Sequence, residues 1–275
     1  MKFAFADGDP GYSKVTVFGA PYDLTSSFRP GSRFAPQRIR ENSFGFESYI
    51  PELDLDLTDY EVADEGDLDL SFDLKSALME VYSVSREMRS RESIPFMLGG
   101  EHSLTPGNLR SLDEISVLVF DAHLDYKKEY MDSDGHACVL RRVCEECSVK
   151  KMTVLGVRSF SKEEFVEAKK SEVIDFYPPG EVKRGLDNFL SGAEMIYISM
   201  DMDVVDPAYA PGVGNPEPGG ITPSLLMELL SKVIGGKTVA GLDLVEISPP
   251  FDCNDMTSLL GAWLVKETIG RILAN

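Results

Sequence analysis

Six short runs of largely apolar, β-forming residues constrain this chain more than any other feature: Val15 to Phe18, Ile94 to Leu98, Val117 to Phe120, Met152 to Leu155, Met195 to Met200 and Val239 to Val245. A strand with one face in water alternates apolar and polar side chains, whereas continuous runs suit strands buried on both faces of a parallel sheet. Segments of helical period lie between them. Leu74, Ala77, Leu78, Val81 and Met88 fall on one helical face. Thr222 and Pro223 read as the cap and first position of a helix that buries Leu225, Leu226, Leu229, Leu230 and Val233. A last helix carries Leu259, Leu260, Trp263, Leu264, Ile269 and Ile272. This alternation predicts an α/β fold of three layers, α/β/α, with a mainly parallel central sheet. No Pro/Ser-rich linker, low-complexity run or internal repeat divides the 275 residues, so a single domain over 1–275 is expected.

Polar residues wait where the apolar runs stop. His102 follows Phe96-Met97-Leu98, Asp121 follows Val117 to Phe120, Asp201 follows Ile198-Ser199-Met200, and Glu246 follows Leu242 to Val245. Ligands of open α/β sheets bind in the crevice outside the carboxyl ends of the strands. Four strand ends therefore aim acids and an imidazole at one place.

The spacing of those residues suits metal ions. In DAHLD, Asp121, His123 and Asp125 stand at i, i+2, i+4, which an extended backbone would put on one side, and Asp201 and Asp203 repeat the i, i+2 step. Two divalent cations would balance the four aspartates, with both imidazoles binding neutral. Such a pair of ions can make hydroxide from water at neutral pH. A carboxylate and imidazole set without thiolate fits Mn²⁺ better than a structural zinc site. Each string alone is weak: strand-end aspartates also serve as caps and turns, and Asp206 before Pro207 reads as a turn. Their joint occurrence at strand ends makes the argument. The chain has only three histidines, and the third, His136, lies just downstream of DAHLD.

Composition removes other classes of function. A formal charge of −19 argues against nucleic acid and anionic membrane surfaces as partners, and permits a cationic substrate without implying one. The N-terminal residues lack the apolar stretch of a signal peptide, and no window reaches the roughly 18 apolar residues of a membrane span, so a cytoplasmic protein is expected. Cys138, Cys144, Cys147 and Cys253 are too few for a disulfide scaffold. Cys144 and Cys147 form a lone CEEC pair, read as reduced structural thiols.

GAPYDLTSSFRPGSRFAPQRIR (19 to 40), GGEHS, DAHLD, SMDMDVVDPAYAPG and GLDLVEISPP follow one another along the chain. In these strings and their order the sequence resembles the ureohydrolases, the arginase and agmatinase group of binuclear manganese amidinohydrolases. Glu101 departs from the Asp that many members carry before the ligand histidine. The resemblance implies two Mn²⁺ per subunit, one held by His102, Asp121, Asp125 and Asp201 and the other by Asp121, His123, Asp201 and Asp203, with Asp121 and Asp201 bridging. Glu246 matches the acid that grips the substrate guanidinium, its alternative being a strand-end surface acid. Asp125 is placed to pass a proton to the leaving amine, and His136 to bind substrate and shuttle protons to solvent, unless it is a plain loop histidine. Tyr126-Lys127-Lys128, Gly156-Val157-Arg158-Ser159 and HACVLRR look like agmatinase chains. Agmatine hydrolysed to putrescine and urea is the expected reaction, with guanidinobutyrate and arginine as alternatives differing at the far end of the molecule. Two rivals of other classes are a one-zinc deacetylase-like amidohydrolase and a non-catalytic metal-binding paralogue. The resemblance also implies a homo-oligomer, trimer or hexamer, and leaves iron, cobalt and nickel open as metals.

Overall fold

The computed structural model describes residues 1–130 and 135–275. Its elements run β1 (Val15–Ala20), α1 (Ala35–Ser43), β2 (Tyr49–Ile50), β3 (Leu55–Asp56), β4 (Val62–Asp67), α2 (Leu74–Ser90), β5 (Ile94–Gly99), α3 (Thr105–Leu109) and β6 (Ile115–Phe120). Then come α4 (Val139–Glu146), β7 (Val149–Leu155), α5 (Lys162–Ala168), β8 (Ile174–Tyr177), α6 (Val182–Leu190), β9 (Met195–Asp201), α7 (Pro223–Ile234), β10 (Thr238–Val245) and α8 (Met256–Ala274). Eight strands form one sheet in the order β4-β1-β5-β10-β9-β6-β7-β8, and every pairing in it is parallel. The pair β2 and β3 forms a separate antiparallel hairpin.

All six apolar runs are strands of this sheet, buried on both faces. In β6, Leu118 and Phe120 enter the core shared with α1, α6, α7 and α8, while Val117 and Val119 enter the one shared with α3 and α4. Phe18, Met97 and Val245 pack instead beneath α2. Successive side chains of a strand point to opposite faces, so one apolar run serves two layers at once. The two large-sheet strands that periodicity does not announce, β4 and β8, are its two edges. An edge strand pairs on one side only and tolerates charge, and β4 accordingly reads VADEGD.

Thr222 caps α7 as its sequence suggests, its hydroxyl accepting the Leu225 N–H. The last helix differs from expectation in one respect: Leu259 is 41% exposed, and Thr257, Ser258, Gly261 and Ala262 take the inner face. Small residues there let the helix approach closely; a Cβ on Gly261 would stand 2.5 Å from the Ile247 side chain.

Strand order sets the position of the site. After β5 the chain passes over two positions to lay down β6, continues outward to β8, then returns to place β9 and β10 between β5 and β6. Val245 pairs with Asp201, Met200 with Phe120 and Leu244 with Leu98, so the carboxyl ends of these four central strands are level.

Candidate metal centre and active site

Each of the four central strands delivers a polar residue at or just past its end. His102, wholly buried, opens a 3-10 turn after β5. Asp121 follows β6, Asp201 closes β9, and Glu246 follows β10. The i, i+2 steps are made differently from the extended ladder that the spacing suggests. Asp121 Oδ1 accepts the His123 N–H at 2.6 Å, and Asp201 Oδ1 accepts the Asp203 N–H at 2.9 Å. Each aspartate thus folds its own backbone into a tight turn, bringing the residue two positions on beside it. Asp125 arrives with φ of 42° and Glu246 with φ of 64°, in the left-handed region that non-glycine residues avoid. Such strain persists where surrounding structure imposes it, commonly at functional sites.

The side chains converge. His102 Nδ1 lies 3.2 Å from Asp121 Oδ2, 3.4 Å from Asp201 Oδ2 and 3.9 Å from Asp125 Oδ2. His123 Nδ1 lies 2.7 Å from Asp203 Oδ2 and 3.7 Å from Asp121 Oδ1. Two trios therefore form with donor atoms within 4.8 Å of one another: His102, Asp121 and Asp201, and Asp121, His123 and Asp203. Asp121 belongs to both, showing one oxygen to each imidazole.

These residues fit a pair of cations. His102 Nδ1 and Asp121 Oδ2 are buried, face each other, and find no aligned hydrogen-bond partner among the described residues. Orphaned buried polar atoms are costly, and a cation between them would satisfy both. The ring of His102 is already set for this. Ser199 donates its hydroxyl proton to Asp243 Oδ1 at 2.6 Å, so its oxygen is left to accept from His102 Nε2 at 3.0 Å. With the proton on Nε2, the Nδ1 lone pair faces the acids. Tyr197 and Thr105 donate to Asp243 Oδ2 at 2.5 and 2.8 Å, fixing the carboxylate in turn. On the other ring, Glu217 stands 3.6 Å from His123 Nε2.

The electrostatics follow from crowding acids away from water. Burial, with Asp121 alongside, pushes Asp125 well above the ordinary carboxylate range, and burial with Asp203 and Asp121 does the same to Asp201. Burial pulls the imidazoles down, but their acid neighbours win: His102 ends well above its ordinary value and His123 at about 11. For Asp203 burial is outweighed by His123, which takes its carboxyl down to about 2. Burial lifts Glu246 to about 7 against the opposing His102 N–H, which donates to Oε1 at 2.8 Å.

One cavity of about 210 Å³ opens onto this cluster, lined by His123, Asp125, Asp201, Asp203 and Glu246 below and by Ser27, Lys127, Tyr130, His136, Ser159 and Asn215 above. His136 is therefore a wall of the site. Its Nε2 lies 3.0 Å from Ser27 Oγ, and burial depresses its pKa against the pull of Glu101. Glu246 is held by its Oε1, and its Oε2 lies at the floor beside Gly214, where a Cβ would come within 3.4 Å. Among the residues that sequence reasoning did not single out are Ser27, Ser199, Glu217 and Asp243. Ser27, Ser199 and Asp243 sit in the quoted strings, but nothing in their spacing distinguishes them. The CEEC thiols stand apart: burial pushes Cys144 up to about 12 and Cys147 to about 11, which favours their protonated form.

A parallel α/β/α sheet whose four central strand ends gather carboxylates and imidazoles around orphaned ligand atoms defines a metal-centred hydrolase. The arginase family model matches residues 13–270, and the chain belongs to the arginase family. Membership implies a binuclear metal centre and hydrolysis of guanidino C–N bonds. The agmatinase of Pyrococcus horikoshii is 36% identical over 258 residues, covering 92% of this chain and 90% of its own. The N(1)-aminopropylagmatine ureohydrolase of Thermococcus kodakarensis is 34% identical, over 99% of this chain and 95% of its own. Among solved structures, the agmatine ureohydrolase of Thermoplasma volcanium superposes with a TM-score of 0.91 at 38% identity, covering 99% of this chain and 94% of that one. Among the described residues, no helix is long and apolar enough to cross a membrane.

Proposed function

We propose that this protein hydrolyses the guanidino group of agmatine to putrescine and urea, using two Mn²⁺ ions. The observation that carries the reading is Asp121, whose two oxygens face the two imidazoles of His102 and His123, next to a cavity that His123, Asp125, Asp201, Asp203 and Glu246 line. His102, Asp121, Asp125 and Asp201 would hold one ion, and Asp121, His123, Asp201 and Asp203 the other. When bound, the ions supply water acidified to near neutrality, a nucleophile strong enough for a delocalised guanidinium carbon. The chain does the rest. Glu246, fixed by the His102 N–H, presents its Oε2 to the planar N–H fork of the substrate and so sets where the guanidinium carbon lies. Asp125, in the cavity wall 3.9 Å from His102 Nδ1, would take the proton of the attacking hydroxide and pass it to the departing amine. His136, whose pKa burial lowers, exchanges protons between the cavity and solvent by way of Ser27. Lys127, whose Nζ stacks 4.1 Å above the Tyr130 ring, lines the same cavity.

Several further readings attach to this one. A single catalytic domain over 1–275 accords with one large sheet drawing strands from residue 15 to residue 245. Cytoplasmic residence is part of the same reading. A trimer or hexamer of identical chains, and a place in polyamine biosynthesis as a source of putrescine, complete the proposal. Urea release measured on agmatine, arginine, guanidinobutyrate and acetylated polyamines, with the protein loaded separately with manganese, iron, cobalt, nickel and zinc, tests it. Agmatine with manganese is expected to be fastest; acetate release would favour a deacetylase, and no turnover on any pairing would favour a scaffold.

A further inference from the structure

One carboxylate beside the cavity belongs neither to the proposed metal ligands nor to the groups that meet substrate. Glu101 precedes His102 at the end of β5 and is completely buried. A carboxylate withdrawn from water needs hydrogen bonds to replace those it loses. Glu101 takes them from the Thr25 N–H at 2.9 Å, the Thr25 hydroxyl at 2.5 Å and the Ser103 hydroxyl. Two of the three donors belong to the loop that follows β1. That loop lies tight against β5: Glu101 N–H donates to Tyr22 O at 2.8 Å, and a Cβ on Gly100 would fall 1.9 Å from the same oxygen. Its other end is closed by Asp23, which accepts the Gly31 N–H at 2.8 Å and pairs with Arg33.

Between these anchors the loop touches His136 twice. The Thr25 hydroxyl gives its proton to Glu101, so its oxygen is left to accept the His136 N–H at 3.2 Å. Two residues further on, Ser27 Oγ meets His136 Nε2 at 3.0 Å, and Asn215 reaches the same hydroxyl at 3.5 Å. The direction of these bonds is set at their ends, because the backbone N–H groups of Thr25 and His136 can only donate. We propose that Glu101 is a positioning residue for the reaction: acting through Thr25, it holds the loop against His136 and fixes where that imidazole points in the cavity.

The inference rests on the reading of His136 given above, and variants can separate the two. In protein carrying the wild-type metal content, measured by elemental analysis, Thr25→Val and Glu101→Gln are each expected to lower kcat by about tenfold or more with KM changed less than about twofold. Thr25→Ser, which restores the hydroxyl, is expected to keep the rate. Thr25→Val combined with His136→Asn is expected to lose no more than His136→Asn alone, since both changes act on one imidazole. Unchanged kcat, fully additive losses, or loss of metal in Thr25→Val would overturn the proposal; should Glu101→Gln fail to fold, Thr25→Val decides. If His136→Asn turns over at the wild-type rate, the catalytic reading of His136 fails. The crystal structure of Thr25→Val then settles positioning: a ring turned away from Ser27 supports it, and a ring left in place refutes it.

Discussion

Ser199 shows how much a hydroxyl can decide. Its proton goes to Asp243 and its oxygen to His102 Nε2, so a serine that touches no substrate chooses which imidazole nitrogen faces the acids. Ser199→Ala frees that choice, and metal affinity is expected to fall by about 10- to 100-fold, the usual cost of removing such a support. Metal titration of the stripped variant reads it directly. Glu246→Gln makes a different case. It keeps the shape and removes the charge that meets the guanidinium, so KM for agmatine is expected to rise by about 10- to 100-fold, as for a charged hydrogen bond of ~1.5–3 kcal/mol. Metal content should stay at the wild-type level, and an unchanged KM would remove Glu246 from substrate binding. The six proposed metal ligands were legible in the sequence because several polar strings, each weak alone, occur together at the ends of buried strands. Ser199, Asp243 and Glu217 were not, because their roles depend on distances that only the folded chain creates.

The central strands announce themselves at the scale of elements, since burial on both faces leaves an unbroken apolar run; the edges β4 and β8 do not, because half of each is free to carry charge. Periodicity also misplaces Leu259, whose spacing suits the inner face of α8 while glycine and alanine occupy it. Large apolar side chains signal burial in sequence; close approach, which excludes them, does not. The packing of α2 on α3 is of this second kind. A Cβ on Gly107 would meet the Leu78 carbonyl oxygen at 2.8 Å and Val81 Cβ at 2.9 Å, both firmly placed. Gly107→Ala is expected to destabilise the fold by about 1–3 kcal/mol through overpacking, despite the better helix propensity of alanine. Denaturant unfolding of the metal-loaded protein measures it, and equal or greater stability would show that the two helices can part without cost.

For the whole molecule, the cluster links stability to pH and to metal. Chelated of its ions, the protein holds Glu246 at about 7 against an ordinary 4.5, and His123 at about 11 against 6.5. Both shifts are upward, so the folded state binds more protons than the unfolded one, and stability falls as pH rises. The Glu246 contribution is complete below pH 4.5 and gone above about 7; that of His123 begins to fade at 6.5 and continues toward 11. Asp203, lowered to about 2 from 3.8, acts in the opposite sense and is lost only as pH drops below 3.8. The Tm of the chelated protein is therefore expected to decline from pH 4.5 upward, and added Mn²⁺ to restore it most where the decline is greatest. Calorimetric titration in buffers of differing ionisation enthalpy should show protons released as metal enters, because ligands must shed them to bind. A pH-independent Tm, or uptake without proton release, would contradict this.

The late return of β9 and β10 has a consequence for how the enzyme is born. A ribosome that has emitted the chain as far as α6 has already made His102 and His123, yet their strands belong to two separate half-sheets with a double gap between them. Until the final third of the polypeptide emerges and threads into that gap, neither half has the neighbour that buries its inner edge, and the two imidazoles have no common floor. Metal capture by a nascent chain would thus wait until β9 and β10 have entered that gap and the sheet is continuous.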